Sequence, residues 1–445
     1  MIGTISLLAA ANGTAQEFFR DFGSSRSSSG IGRLAPGADV FIGNSPNGIE
    51  PLTDADVQAS EGTYNMKLGM LEMSVALGVG FEFNDNITLS ENNQISDIIF
   101  RPQLDLEGVI RFSETNRLRI GFGISYAKYF NHSEFDSDSL LISPTSALSW
   151  TAEAGAFKFT IRERFSYQED PFDQPTLVNA ATFKRYENQA GIQVDWDASQ
   201  YTKISVGYDR YDLWAKDEFY KDQDHGINTF FLRPSYQISP AFTLGFNASV
   251  SLIDYRRTTR ADGTSYLLGP FVRWRVSDYT DVLLEVGYQR SSFDGTTTVP
   301  ALNPVTGLPT GGVVGIDSED SSGYYAKLEI ANRPTEFLRQ KLSFSKTSEL
   351  GFRSNFYDLY HLEYTLDWAM TEKTTIRPTF FYEYYEASGP QSEKAHRVGG
   401  ALGLYHIFSD NLTVGLDYRF IVRDSNLTNS DYTQNLGLIS LYYKF

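Results

Sequence analysis

Guanidinium groups recur at alternate positions in this chain, as Arg162 with Arg164 and Arg273 with Arg275, with Arg233 between the two pairs. A two-residue spacing puts both members of a pair on one face of an extended strand. Rings of such groups along a passage favour anions, so these five are the candidates for a selective surface. Phe231, Phe271, Tyr325, Phe381, Tyr385 and Tyr405 share that parity. They are candidate stacking platforms for sugars, with packing against an internal hatch as the other reading. Signals for catalysis are poor. The five histidines are scattered, and none stands in an H-x-x-x-H or H-E-x-x-H spacing. His361, Glu363 and Asp367 fall on one strand face, which resembles a proton-transfer cluster only loosely; a polar wall explains them more simply. The glycines at 78 and 80 and at 311, 312 and 315 precede no helix and so form no phosphate cradle. Cysteine is absent, which excludes disulfides and thiolate ligands. We expect no enzyme, no cofactor and no metal site.

These side chains must be positioned by strands. In the first clear segment Leu71, Met73, Val75, Leu77, Val79, Phe81 and Phe83 alternate with smaller or polar residues, a period-two pattern. The last segment alternates in the same way, with Gly437, Ile439, Leu441, Tyr443 and Phe445 on the apolar face. About eighteen such segments run between them, with sixteen as the alternative count, and 117–130 and 140–152 read as continuous strands. At about thirteen residues they exceed the five or six usual for soluble strands and suit a tilted membrane crossing. The prediction is an all-β, antiparallel up-and-down transmembrane β-barrel over residues 65–445. A soluble sandwich or propeller is the competing class.

An aromatic periodicity supports the barrel. Phe112, Trp150, Trp196, Tyr236, Trp274, Trp368, Phe408 and the terminal Phe445 each precede a short polar turn or the chain end, with Ile330 at the equivalent place in the widest gap. Rings of this kind collect at membrane–water interfaces, so the set is assigned to a periplasmic girdle. Phe83, Tyr126, Tyr167, Tyr208, Tyr288, Phe344, Tyr384 and Phe420 then form the opposite belt. Alternate connections are long and polar, the longest from Ser292 to Ser322, whereas the girdle-side links are tight; outer-membrane barrels have this asymmetry. Hydrophobic residues make up 41% of the chain and mean hydropathy is −0.30, values compatible with a barrel whose polar residues face a lumen. A net charge of −17 argues against nucleic acid as a partner. Parity nevertheless places more Lys and Arg than Asp and Glu in the lumen.

Residues 1–15 read as the remnant of a secretory signal without its basic start, and residues 16–64 as a flexible periplasmic arm or a small hatch. The closing strand with its terminal aromatic resembles the assembly signal that barrel-insertion machinery reads. Val79 to Ser90, with Asp85, Asn86 and Ile87 at its turn, followed by Ser96 to Pro102, resembles the opening of the β-barrel porin 2 family. Trp196 to Ser199 and Val206 to Tyr211 add a hairpin of similar style. That family includes barrels associated with exopolysaccharide export, and the resemblance implies such a role. The expected function is a pore in the bacterial outer membrane, with outer-membrane lipid around it, passing polar or small anionic solutes or a secreted polysaccharide. A fatty-acid-type channel and a surface adhesion or structural barrel are the alternatives.

Overall fold

The computed structural model describes residues 66–169, 176–302, 309–389 and 392–445. The readings of residues 1–15 and 16–64 lie outside them. Eighteen staves form one antiparallel sheet. They are β1 Leu71–Asn84, β2 Asp97–Ser113, β3 Asn116–Ser125 with Lys128–Tyr129, β4 Leu141–Ile142 with Ala147–Ala154, β5 Phe157–Gln168 and β6 Arg185–Asp197. Next come β7 Thr202–Ala215, β8 His225–Ser239, β9 Phe242–Tyr255, β10 Gly263–Ser277, β11 Thr280–Phe293 and β12 Ser321–Thr335. The last six are β13 Leu338–Leu350, β14 Phe356–Thr371, β15 Thr374–Ala387, β16 Lys394–Ser409, β17 Leu412–Ser425 and β18 Tyr432–Lys444. Each pairs with its neighbours in sequence, and β1 closes on β18 from Ala76 opposite Lys444 to Asn84 opposite Leu436. Closure satisfies every edge, the condition for a sheet to stand in lipid.

The two faces follow parity. On β1 Leu77, Phe81 and Phe83 are exposed on the outer surface, while Ala76, Glu82 and Asn84 are buried within. Phe112, Trp196, Tyr236, Trp274, Trp368, Phe408 and Phe445, the residues expected in a girdle, are likewise exposed at the tight-turn end, and Trp150 donates its indole N–H to Asn116 at 2.8 Å. No helix among the described residues is long and apolar enough to cross a membrane. The strands do the crossing: a closed barrel with an apolar outer surface between aromatic belts is a protein of the bacterial outer membrane.

Three expectations need correction. The predicted continuous strands at 117–130 and 140–152 are each interrupted. In β4 the turn at Ser143–Ser146 inserts extra residues, held by Ser146 N–H to Ser143 O at 2.9 Å, and it lies over Gly121 and Gly123, where no Cβ obstructs it. Tyr167 has the parity of the outer belt but is 1% exposed, because loops fold over it and its hydroxyl donates to Asp138 and Glu169. The long connection after β11 contains its own hairpin, Thr297–Leu302 with Pro309–Asp317, which period-two reading missed among the glycines and prolines.

The turn that carried the family resemblance fastens the barrel. Asn86 donates to the carbonyls of Ser90 and Thr433 at 2.9 Å each and accepts from the Ser90 N–H, while Asp85 accepts from the backbone and side chain of Asn435 at 2.7 Å. One short turn thus joins the first stave to the last.

Candidate functional site: the lumen and its constriction

The connection from β5 to β6 turns inward. Its Leu177, Ala180 and Phe183 share a buried cluster with Tyr211, Leu213, Ile227, Ile253 and Tyr255 of β7, β8 and β9. The neighbouring Val178 packs against Phe381, Ile421 and Tyr432 of β15, β17 and β18, together with Leu89. β6 and β15 are nine staves apart, halfway round an eighteen-stave barrel, so the loop spans the lumen. Asn179, at a left-handed φ of 56°, donates its backbone N–H to Leu89 O at 3.2 Å and its amide to Asn429 O at 2.8 Å. The crossing is anchored at both ends.

Other outer loops brace it. Phe183 meets Tyr220 and Phe352 edge to face at 5.0 and 5.6 Å, joining three separate connections. Arg260 donates to Gly351 O and Ser354 O, and Gln223 donates to Phe352 O at 2.8 Å. Asp138 gathers Lys184 at 3.2 Å and Lys216 at 2.7 Å. Burial pushes its carboxyl up, but Lys216, Tyr167 and Lys184 outweigh that and hold it well below the ordinary carboxylate range.

Beneath the loops the lumenal charges are paired within staves, between adjacent staves and, for Arg162 with Asp209, across the stave between. Arg101 pairs with Glu82 at 2.8 Å, Arg162 with Asp209, Arg185 with Glu187 at 2.6 Å and Arg397 with Glu383 at 2.7 Å, all buried. The five selectivity candidates do not form one surface. Arg162 and Arg164 lie on β5, the first ion-paired and the second buried. Arg233 and Arg273, from β8 and β10, place their guanidinium groups 5.6 and 5.9 Å from the ring centre of Phe271. Arg275 lies at the tight-turn rim, 3.4 Å from Asp281.

The rim is where bases gather. Arg111, Arg117, Arg119, Lys158, Lys203, Arg273, Arg275, Arg339, Lys341, Arg377 and Lys444 have inward parity near the tight turns, against Glu72, Glu153, Asp195, Asp197, Asp281, Glu329, Asp367 and Asp417. Such an imbalance raises the local concentration of anions at the mouth.

The six lumenal aromatics present little open surface. Phe231, Phe271, Tyr325, Phe381, Tyr385 and Tyr405 are 7% exposed or less. Five of them lie against neighbouring-stave or same-stave glycines: Phe231 on Gly207, Phe271 on Gly245, Tyr325 on Gly269 and Gly287, Phe381 on Gly399, and Tyr405 on Gly403. Arginines cover several from the lumen side, with Arg397 5.7 Å above Phe381 and Arg423 5.6 Å above Tyr385. The rings therefore line the wall.

His361 contacts Glu383 at 3.1 Å and Glu363 at 3.9 Å, while Asp367 is drawn to Arg377. Among the described residues no three His, Asp or Glu are grouped to hold a metal ion. Sequence reasoning missed Arg117, Asn179 and Arg260. Arg117 follows from parity, whereas Asn179 and Arg260 stand in polar loops that read as solvent-exposed.

Residues 55–268 match the family described as "Putative MetA-pathway of phenol degradation". No curated protein matches the chain. Among solved structures, Pseudomonas aeruginosa OpdK with vanillate resembles it at TM-score 0.46 and 10% identity, over 84% of this chain and 99% of that one. A BenF-like porin from Pseudomonas fluorescens Pf-5 does so at 0.46 and 9%, over 85% and 100%. Acinetobacter baumannii OccAB3 gives 0.44 and 13%, over 84% and 99%.

Proposed function

We propose that the chain is an outer-membrane channel for small polar solutes, with a preference for anions. The observation that carries this reading is the β5–β6 loop crossing the lumen from the β7–β9 wall to the β15–β18 wall, which narrows an otherwise wide barrel. The basic periplasmic rim adds the charge preference. The matched family's description favours small phenolic or aromatic solutes over polymers. Polysaccharide exit is the weaker reading, because the lumenal rings that would stack on sugars are covered. A fatty-acid channel fits poorly with ion pairs such as Arg162–Asp209 and Arg397–Glu383 along the path.

The test is solute flux into liposomes holding the purified protein. Benzoate-sized anions should enter faster than neutral sugars of similar size, and oligosaccharides should be excluded. Equal entry of long oligosaccharides would overturn the constriction, and exclusion of every solute would overturn the channel.

A further inference from the structure

Leu436 and Leu438 of β18 have lumenal parity, opposite Asn84 and Glu82 of β1 and opposite Arg419 and Asp417 of β17. The interior of a wide barrel is polar and watered, yet these two leucines are 2% and 1% exposed. They share a cluster with Ala76, Tyr405 and Tyr442. The wall beside them, toward the tight turns, is low. Ser440 of β18 stands between Gly80 of β1 and Gly415 of β17, with Gly78 opposite Tyr442, and all three glycines are buried. Glycines without side chains let another backbone approach closely. Ser440 is itself 1% exposed, and its hydroxyl has no hydrogen-bond partner among the described residues. A buried hydroxyl left unpaired costs free energy, and a peptide laid in the trough supplies the missing partner. The described segments that turn inward pack elsewhere. Val178 meets this wall at Ile421 and Tyr432, nearer the outer loops, and the turn at Ser143–Ser146 lies over Gly121 and Gly123 of β3.

The path of the chain into β1 names the occupant. Met66–Leu68 folds back through Gly69, at φ 63°, and pairs with Leu71–Met73, Met66 opposite Met73. β18 uses the same edge of β1, where Phe445 donates its backbone N–H to Val75 O at 3.0 Å. The wall position just before Met66 is therefore taken, and the chain must reach Met66 from one side of the sheet. Ser60, Glu61, Gly62, Thr63 and Asn65 stand in the approach. Such a polar, unpaired stretch is not tolerated in lipid, which leaves the lumenal side, where Lys67 meets Glu72 at 3.1 Å. Glu82, opposite Leu438, stands eight residues along β1 from Ser74, about 26 Å at about 3.3 Å per residue. The twenty-four residues from Ile42 to Met66 cover that distance with slack. Val40, Phe41 and Ile42 form the one run of three bulky apolar residues in a segment otherwise rich in Ser, Gly, Pro and Asn.

We propose that residues 16–64 dock inside their own barrel, with Val40, Phe41 and Ile42 against Leu436 and Leu438 and the backbone beside them in the glycine trough at Ser440. The inner half of the lumen is then partly filled by the chain's own amino-terminal segment, on the wall below the loop crossing. The contact is independent of which solute passes.

The experiment uses the full chain in outer membranes, where introduced cysteines are the only thiols because the sequence has none. Ser440→Cys should react with a small charged methanethiosulfonate about tenfold more slowly than the same cysteine in a chain that also carries Phe41→Asp and Ile42→Asp, as a segment docked about nine-tenths of the time requires. Val40→Cys, Phe41→Cys and Ile42→Cys, each combined with Ser440→Cys, should on oxidation give a disulfide within one chain at one or more of the three positions, read as a faster band that reductant removes. The gel mobility shift on heating checks that each variant is folded, and Thr413→Cys, lumenal and opposite Tyr442, takes the place of Ser440→Cys if that variant fails to insert. Equal reaction rates in the two folded chains, a disulfide between two chains, or no disulfide at any of the three positions would overturn the proposal.

Discussion

Removing the guanidinium of Arg162 isolates the part of the account that treats the lumenal charges as wall. Arg162 is 1% exposed and Asp209 is fully buried, joined by Nε and Nη2 to one carboxylate oxygen at 3.1 and 2.5 Å. The pair spans Gly191 of β6, where a Cβ would collide with both side chains. Among the described residues no second cation pairs with Asp209, and its other oxygen has no hydrogen-bond partner. Arg162→Met should therefore leave an uncompensated carboxylate, at a cost of about 3 kcal/mol, the low end for breaking a buried pair. Arg162→Met with Asp209→Leu removes both charges and should return to within about 1 kcal/mol of wild type, because an apolar replacement escapes the desolvation penalty. Urea unfolding in lipid vesicles, followed by the five tryptophans, measures both variants. A single variant costing less than about 1 kcal/mol, or a double variant costing the sum of its parts, would refute the ladder.

Asn86→Ala should weaken the β1–β18 closure by about 1–3 kcal/mol, since the buried carbonyl of Ser90 and the partly buried one of Thr433 lose a donor; the gel mobility shift on heating should then occur at lower temperature. Gly245→Ala puts a methyl where the Phe271 ring lies, which should cost about 1–3 kcal/mol in overpacking and lower single-channel conductance as the ring is pushed inward. Asp138→Asn should loosen the outer loops that Lys184 and Lys216 hold, raising their proteolysis in intact membranes at neutral pH. Because the Asp138 carboxyl is held below its ordinary range, its contribution is present above the unfolded value and is lost only as pH falls through the lower folded value. Wild-type loop protection should thus be unchanged from neutral to mildly acidic pH, and a loss near pH 6 would contradict this assignment.

Period-two alternation and the aromatic girdle made the barrel legible, because a membrane strand repeats one physical constraint along its length. Strand parity also assigned lumenal residues such as Arg101, Arg397 and Asp417 without a structure. The constriction was not legible. Leu177, Val178 and Asn179 are three adjacent loop residues whose partners lie on opposite walls, a relation set by barrel closure rather than by local pattern. Pairing was hidden for a similar reason: Arg162 reads as a free cation until register brings Asp209 across Gly191. The lumenal rings read as platforms because sequence does not reveal that arginines and loop residues cover them. Tyr167 shows the limit of parity at the rim, where loops cover an outward face.

The central claim, a narrowed pore with a basic inner mouth, is tested most directly by the reversal potential of single channels in planar bilayers under a salt gradient. The account predicts open channels whose reversal potential has the sign of anion preference, weakened at high salt as the rim charges are screened. Cation preference, or a membrane that stays silent at every potential, would contradict it.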